Sequence, residues 1–155
     1  MAHIEKSIDL DVPVRVAYDQ WTQFASFPMF MEGVKEVHQV DDTHLHWKAE
    51  IGGKAVEWDA VIAEQVPDQR IAWRNTDGAT NAGVVTFQQI GEAQCRVMLQ
   101  METEPHGLVE TVGDALGFLG HQVEGDLKRF KEMVEGRGAA TGAWRGSVDD
   151  GQRTS

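Results

Sequence analysis

The segment HLHWKAEIGGKAVEWDAVIAEQVPDQRIAWRN, residues 44–75, contains three runs in which apolar and polar residues alternate. Trp47 lies on the apolar side of the first run, Trp58 on that of the second and Trp73 on that of the third. A period of two predicts strands with one buried and one solvated face, and the glycines at 52–53 are typical of a hairpin. This segment therefore predicts part of an antiparallel sheet with an aromatic inner face.

The elements on either side extend this pattern. Six strands in hairpin succession are predicted between residues 34 and 104, and one more at 4–10. Two short helices follow the N-terminal strand, the first with Pro13 in its first turn, and one long helix is predicted near 107–136. This order predicts an α+β fold in which a seven-stranded antiparallel sheet is covered by the long C-terminal helix.

Four glycines interrupt that helix in ETVGDALGFLGHQVEGDLKRF, residues 110–130. Each costs about 1 kcal/mol relative to alanine, so their presence needs a reason. Gly113, Gly117 and Gly120 lie together beside the apolar arc that includes Leu116, at about 100° per residue. Either another element packs very closely there, or space is left for an apolar ligand.

Composition limits the partners. The chain of 155 residues is the size of one domain, and its formal net charge is −11. An acidic surface repels nucleic-acid phosphates and anionic lipid headgroups, so neither nucleic acid nor a membrane is expected as a partner. Cys95 is the only cysteine, which excludes an intramolecular disulfide. There is no signal-peptide or membrane-span pattern, and we expect a cytoplasmic protein.

The domain is predicted to span residues 1–138. Residues 139–155 show no periodicity and consist mostly of small and polar residues, which is typical of a flexible tail. Trp144 is the exception, because a large ring in such a segment indicates a docking contact. We expect Trp144 to pack back onto the domain, near Phe118, or onto a partner chain.

Five segments carry a resemblance to a known family: VPVRVAYDQWTQFASFPMFMEGV (12–34), EWDAVIAEQVPDQRIAWR (57–74), NAGVVTF (81–87), GLVETVGDALG (107–117) and GAWRG (142–146). With them, the chain resembles the START-like (SRPBCC) helix-grip superfamily, and more narrowly its small bacterial polyketide cyclase/dehydrase-like proteins. The resemblance implies a curved sheet that grips the long helix around an apolar cavity. Because the superfamily includes aromatases as well as lipid and quinone carriers, it does not select one chemistry.

We expect a module that binds a small apolar or aromatic molecule, as a monomer or homodimer and without a cofactor. The residues expected to line the site are Trp47, Trp58, Trp73, Phe87, Leu99, Met101, Phe27, Phe30, Met31, Leu116, Gly117 and Gly120.

Two alternatives stay open. One is an enzyme of the aromatase/cyclase or dehydrase type, in which Arg74, Asn81 or Tyr18 acts as the acid or orients the ligand. The other is an interaction protein with a filled core and no ligand. Polar side chains in the cavity favour the enzyme, and a dry cavity favours the carrier.

The remaining polar motifs indicate that the outward face of the sheet is exposed to solvent. His44 and His46 share the outward side of a strand, with His38 as a neighbour across the turn, and no metal site is predicted from this spacing. Glu57 and Asp59 flank Trp58 on the outward side. Paired carboxylates do acid–base work only where the environment separates their pKa values, so no catalytic role is predicted for them.

Overall fold

The computed structural model describes residues 2–31, 34–51, 54–76, 81–103, 112–137, 140, 142–149 and 152–154, and within the long helix it describes side chains from residue 123 onward. The helices are α1 (Val14–Trp21), a 3-10 helix (Phe24–Met29) and α2 (Val112–Arg137). The strands are β1 (Ala2–Leu10), β2 (Val34–Gln39), β3 (His44–Ile51), β4 (Lys54–Val66), β5 (Arg70–Asn75), β6 (Asn81–Gly91), β7 (Gln94–Thr103), β8 (Val148–Asp149) and β9 (Gln152–Arg153).

Seven strands form a curled antiparallel sheet in the order β1-β7-β6-β5-β4-β3-β2. Each of the strands β2 to β6 pairs with the next along the chain, and β1 pairs with β7 at the end of the order. The seven-stranded α+β sheet with a C-terminal helix, predicted from the alternation of apolar residues, is confirmed.

The two faces of the sheet are those predicted. Trp47 on β3 pairs directly with Trp58 on β4, and both belong to the inner face, whereas Glu57 and Asp59 are exposed on the outer face. A shift of one residue would exchange the faces of a strand, so this result excludes it, and the observed pairing gives the register of β3 against β4.

Helix α2 lies on the sheet through an apolar face that includes Val123, Leu127, Phe130 and Val134, all buried. These four belong to the arc predicted from the helical period. Where the sequence predicts the helix from about residue 107, the structure describes it from Val112, and residues 104–111 lie outside the described ranges. No helix in the described ranges is long and apolar enough to cross a membrane.

A cluster of rings closes the core around Trp21 at the end of α1. Trp21 contacts Phe27 and Phe30 of the 3-10 helix region, Phe87 of β6 and Phe130 of α2, with ring centroids 5.0–6.3 Å apart. Such edge and tilted contacts contribute about 0.5–1.5 kcal/mol each beyond the buried area. The cluster therefore joins α1, the 3-10 helix, the sheet and α2 into one core.

The C-terminal segment is packed where it is described, whereas a flexible tail was expected. Val148 and Asp149 of β8 pair with Gln65 and Glu64 of β4, and Val148 is buried. A strand of two residues has no detectable period, which is why the sequence did not predict it. The docking of Trp144 onto the domain is confirmed by its packing against the core. Its contact with Phe118 lies outside the described side chains.

Candidate functional site

One row of inner-face residues crosses five strands near one end of the sheet. In order, the directly paired residues of this row are Ile62, Trp73, Gly83, Met101 and Ile4. Trp73 and Met101 are half-buried, in contrast to the fully buried residues of the Trp21 cluster. In this row, called the Trp73 row below, the protein itself therefore covers Trp73 and Met101 only in part, whereas Ile4 and Ile62 are buried.

The Trp73 ring lies across the strand beside its own. A Cβ atom built on Gly83 would be 2.5 Å from Cζ2 of Trp73 and 2.9 Å from its Cε2. Only a residue without a side chain leaves room for a ring at this distance. Gly83 thus leaves room for the Trp73 ring to cross onto β6 at the inner face.

The second part of the candidate site is a pair of stacked rings. Trp47 and Trp58 are nearly parallel, with an angle of 8° between the planes and 5.7 Å between the centroids. Trp47 is 8% exposed and Trp58 is half-buried. Phe27 contacts the Trp47 ring at 5.5 Å with a tilt of 45°. Trp58 lies four residues from Ile62 along β4, so the stack is roughly 13 Å from the Trp73 row.

Trp47 also holds a polar atom without a partner. Its Nε1 is buried, and no acceptor within hydrogen-bond distance is found in the part of the chain that the structure describes. The two side chains whose rings contact Trp47, Trp58 and Phe27, carry no acceptor. The stack therefore combines an apolar surface with one unpaired donor.

The other predicted site residues divide into three groups. Phe27, Phe30, Phe87 and Leu99 are buried in the packed core, and Met31 is half-buried against it. The side chains of Leu116, Gly117 and Gly120 lie outside the described residues. The structure thus brings the predicted tryptophans and Met101 to one concave face and leaves the helix side of the site undescribed.

Of the polar residues weighed for an enzyme, the two whose side chains are described, Arg74 and Tyr18, do not meet at this face. Arg74 is exposed on the outer side of β5, and the side chain of Asn81 lies outside the described residues. Tyr18 is fully buried on α1, where Gln65 Nε2 donates to its hydroxyl oxygen at 3.0 Å. Burial raises the pKa of Tyr18 to about 12, although the Gln65 bond and the nearby Arg145 oppose the rise. The phenol is therefore neutral at physiological pH.

A polar network around Tyr18 was missed by sequence reasoning. Arg145 donates to Asp19 Oδ1 at 2.5 Å and to Asp68 Oδ2 at 2.7 Å, and its guanidinium lies 5.5 Å from the centroid of the Tyr18 ring. Gln65 reaches the inner face because the register of β4 shifts between Ile62 and Glu64. Neither a bulge nor a contact between distant segments leaves a local signal in the sequence.

On the outer face, His46 bridges two carboxylates. Its Nδ1 lies 2.7 Å from Asp59 Oδ1 and its Nε2 lies 3.3 Å from Glu57 Oε1. The bond to Asp59 and then that to Glu57 raise the pKa of His46. Across the described ranges, no three histidine, cysteine or acidic side chains are placed to hold a metal ion. These residues form an ion-pair network on a solvated face.

Comparison with known proteins identifies the family of the chain. The family described as polyketide cyclase / dehydrase and lipid transport matches residues 10–132. The chain belongs to this family. A 17.2 kDa protein of Streptomyces lincolnensis, of uncharacterized function, is 50% identical over 149 residues, which cover 96% of this chain and 99% of that protein.

Solved structures of other proteins share the fold. A Deinococcus radiodurans protein is 24% identical, with a TM-score of 0.70 over 87% of this chain and 99% of that chain. The Zhui aromatase/cyclase from Streptomyces sp. R1128 is 14% identical, with a TM-score of 0.66 over 88% of this chain and 93% of that chain. The resemblance to polyketide cyclase/dehydrase-like proteins stated from the sequence is confirmed by the family match, and a START superfamily protein of Mycobacterium smegmatis shares the fold. Family and fold together imply a ligand-binding cavity.

Proposed function

We propose that this family member binds a small apolar or aromatic molecule on the inner face of the sheet, between the Trp47–Trp58 stack and the Trp73 row. One observation carries the proposal. Trp58, Trp73 and Met101 are half-buried on a concave face, whereas the rings of the Trp21 cluster are buried by their neighbours.

The energetics of burial support this assignment. Removing apolar surface from water contributes about 25 cal/mol for each Å², so a ligand that covers roughly 100 Å² of these side chains gains about 2.5 kcal/mol. The two tryptophan sites are about 13 Å apart along β4, so an elongated ligand contacts both. Rings that are flat and rigid lose little conformational freedom when a ligand packs on them.

Binding without catalysis fits the described polar groups better than a reaction does. Tyr18 accepts a hydrogen bond from Gln65 and stays protonated, and Arg74 lies on the outer face. Neither side chain is placed to act on a molecule held between Trp58 and Trp73. The likeness to an aromatase/cyclase is at 14% identity and concerns the fold alone.

The test is equilibrium binding of Nile red, an uncharged apolar dye whose fluorescence rises in an apolar site. We expect the parent protein to bind it, and Trp73→Ala to weaken binding by about tenfold or more, since the ring supplies much of the covered surface. Trp144→Ala is the matched control, because Trp144 is also half-buried but belongs to the C-terminal segment. No binding by the parent, or equal losses in both variants, would overturn the proposal.

A second measurement needs no probe. Native mass spectrometry of the protein purified from its own host is expected to show a retained small molecule. The retained mass should be lost in Trp73→Ala and kept in Trp144→Ala.

A further inference from the structure

The buried indole nitrogen of Trp47 lacks a partner in otherwise apolar surroundings. The ring is stacked on Trp58 and contacted by Phe27, and its Nε1 has no acceptor within the ranges that the structure describes. Buried tryptophans usually pair this N–H, because a donor removed from water without an acceptor is disfavoured. Among the described residues, Gln65 Oε1 and Asp68 Oδ1 are also buried without a partner, but they are acceptors in the polar network around Tyr18, whereas the rings that contact Trp47 offer its donor no acceptor.

The position of Trp47 is fixed by the sheet. Its backbone pairs with Val37 on one side and with Trp58 on the other, and its ring lies parallel to the Trp58 ring. A phenylalanine at this place would still present an aromatic face and would bury no unpaired donor. The smaller phenyl ring would leave part of the indole volume empty, so the size of Trp47 serves packing, whereas its N–H does not.

We propose that Trp47 determines specificity in the candidate site by donating its Nε1–H to an acceptor oxygen of the ligand. The ligand class is a planar aromatic molecule that bears a carbonyl or hydroxyl oxygen at its edge. The ring of such a molecule packs on apolar surface beside Trp58, while the oxygen pairs the indole donor. This inference rests on the proposed binding function and names the chemistry that the same site selects.

Access to the donor requires one neighbour to move, because Nε1 has no exposed surface. Of the two rings that contact Trp47, Phe27 has the less regular backbone, although its ring also contacts Trp21, Phe24 and Phe30. It belongs to a six-residue 3-10 helix that contains Pro28, whereas Trp58 lies within the paired strands. A 3-10 helix has poorer hydrogen-bond geometry than an α-helix, and proline removes a donor from it. If Phe27 is the ring that moves, the ligand has to offset the loss of its core contacts as well as pair the indole donor.

The experiment compares fluorene with fluorenone, two planar molecules of nearly the same shape. The CH₂ group of fluorene is replaced by a carbonyl group in fluorenone. Both are measured by displacement of Nile red, and each affinity is corrected for the partition of the compound between water and octanol. We expect the parent protein to prefer fluorenone by about three- to tenfold, the effect of one neutral hydrogen bond. Trp47→Phe should abolish this preference.

Trp58→Phe is the matched control, since it also replaces an indole of the stack with a phenyl ring. It should weaken both compounds alike and leave their ratio unchanged. Where Trp47→Phe does not fold, incorporation of benzothienylalanine at position 47 replaces the N–H with sulfur and keeps the shape of the ring. Circular dichroism and melting temperature establish that each variant is folded.

The outcomes separate the two proposals. If both compounds bind and the fluorenone preference survives in Trp47→Phe or in the benzothienyl variant, the donor pairs with trapped water and the inference about Trp47 is wrong, while the binding function stands. If neither fluorene nor fluorenone displaces Nile red, or if Nile red itself does not bind, the binding function is overturned and the inference falls with it.

Discussion

The indole ring of Trp73 lies against Gly83 on the adjacent strand, closer than any side chain at residue 83 would permit. Glycine in a strand lowers stability because it has more backbone freedom to lose and no side chain to pack. Here the missing side chain leaves room for close contact with a large ring. The pair thus links a local weakness of β6 to the shape of the candidate binding surface.

Gly83→Ala should therefore be destabilising and should also weaken Nile red binding. The new methyl group collides with Cζ2 of Trp73, and the ring has to leave its place on the inner face or push the strands apart. We expect the free energy of unfolding in urea to fall by about 1–3 kcal/mol. Adding Trp73→Leu to Gly83→Ala should restore most of the stability but not the binding.

The control for this prediction is Gly136→Ala near the end of α2. Nothing lies within 4 Å of a Cβ atom at residue 136, so the change adds helix propensity without a collision. It should leave stability unchanged or raise it by up to about 1 kcal/mol. If Gly83→Ala is as stable as the parent, the close contact with Trp73 is contradicted.

A second prediction concerns Tyr18, the single tyrosine of the chain. Its ordinary pKa of 10.0 is raised to about 12, chiefly by burial, so ultraviolet absorbance of tyrosinate reports this residue alone. The folded protein should show no tyrosinate as the pH passes 10. Since the folded pKa lies above the unfolded one, stability is lost progressively as the pH rises from about 10 to about 12.

Gln65→Leu sharpens that test. The Gln65 side chain donates to the phenolic oxygen and so favours the ionised form. Its removal should move the tyrosinate transition to still higher pH, provided that circular dichroism shows the variant to be folded. Tyrosinate that appears near pH 10 in folded parent protein would contradict the buried position of Tyr18.

The sequence was sufficient for the features that depend on local periodicity. Alternation assigned Trp47 and Trp58 to the inner face and Glu57 to the outer face, and the helical period placed Leu127 and Phe130 in the core. These positions follow from the geometry of one strand or one helix, since the direction of each side chain repeats with the period.

The rest depends on contacts that no local pattern encodes. Gln65 faces inward because of a register shift in β4, and β8 is a strand only because β4 offers it a partner. Arg145 meets Asp19 and Asp68 across a large separation in the chain. The Trp73–Gly83 contact likewise follows from the register between two strands, which the sequence predicted as neighbours without their alignment.

A third prediction follows from the His46 bridge. Protonated His46 bonds Asp59 and Glu57, with Lys48 3.7 Å from Glu57 on the same face. Because the pKa of His46 is raised above 6.5 in the folded protein, the stability it contributes is complete below that pH and is lost as the pH rises through the folded pKa. The melting temperature of the parent should fall by more than that of His46→Asn between about pH 6 and about pH 8.

Titration of the histidine ring protons, followed by NMR, distinguishes the contributions of the two carboxylates to the pKa of His46. Asp59→Asn should lower the pKa of His46 more than Glu57→Gln does, because the Asp59 bond is the larger cause of the rise. Equal titration of His46 in the parent and in both variants would show that the bridge is not formed in solution.

The last prediction concerns Arg145, which holds the C-terminal segment to the domain. Its guanidinium bonds Asp19 and Asp68, whose side chains are 12% and 34% exposed. Arg145→Met keeps an apolar stem beside Tyr18 but leaves two carboxylates without their shared cation, although Arg15 stays 3.7 Å from Asp19. We expect the free energy of unfolding to fall by about 1–3 kcal/mol, less than for a fully buried pair because water reaches the site.

Arg145→Lys should recover only part of this loss, since an ammonium group lacks the planar fork that reaches two carboxylates at once. Arg137→Met, at the exposed end of α2, is the matched control and should cost at most about 0.5 kcal/mol. In limited proteolysis, residues 142–149 should be cleaved faster in Arg145→Met than in the control, because the segment that precedes β8 then loses its ion pairs to the domain. Mass spectrometry of the fragments identifies the cleavage sites. If Arg145→Met has the same melting temperature as the parent and resists cleavage equally, the contacts of β8 and Trp144 hold the segment without the ion pairs.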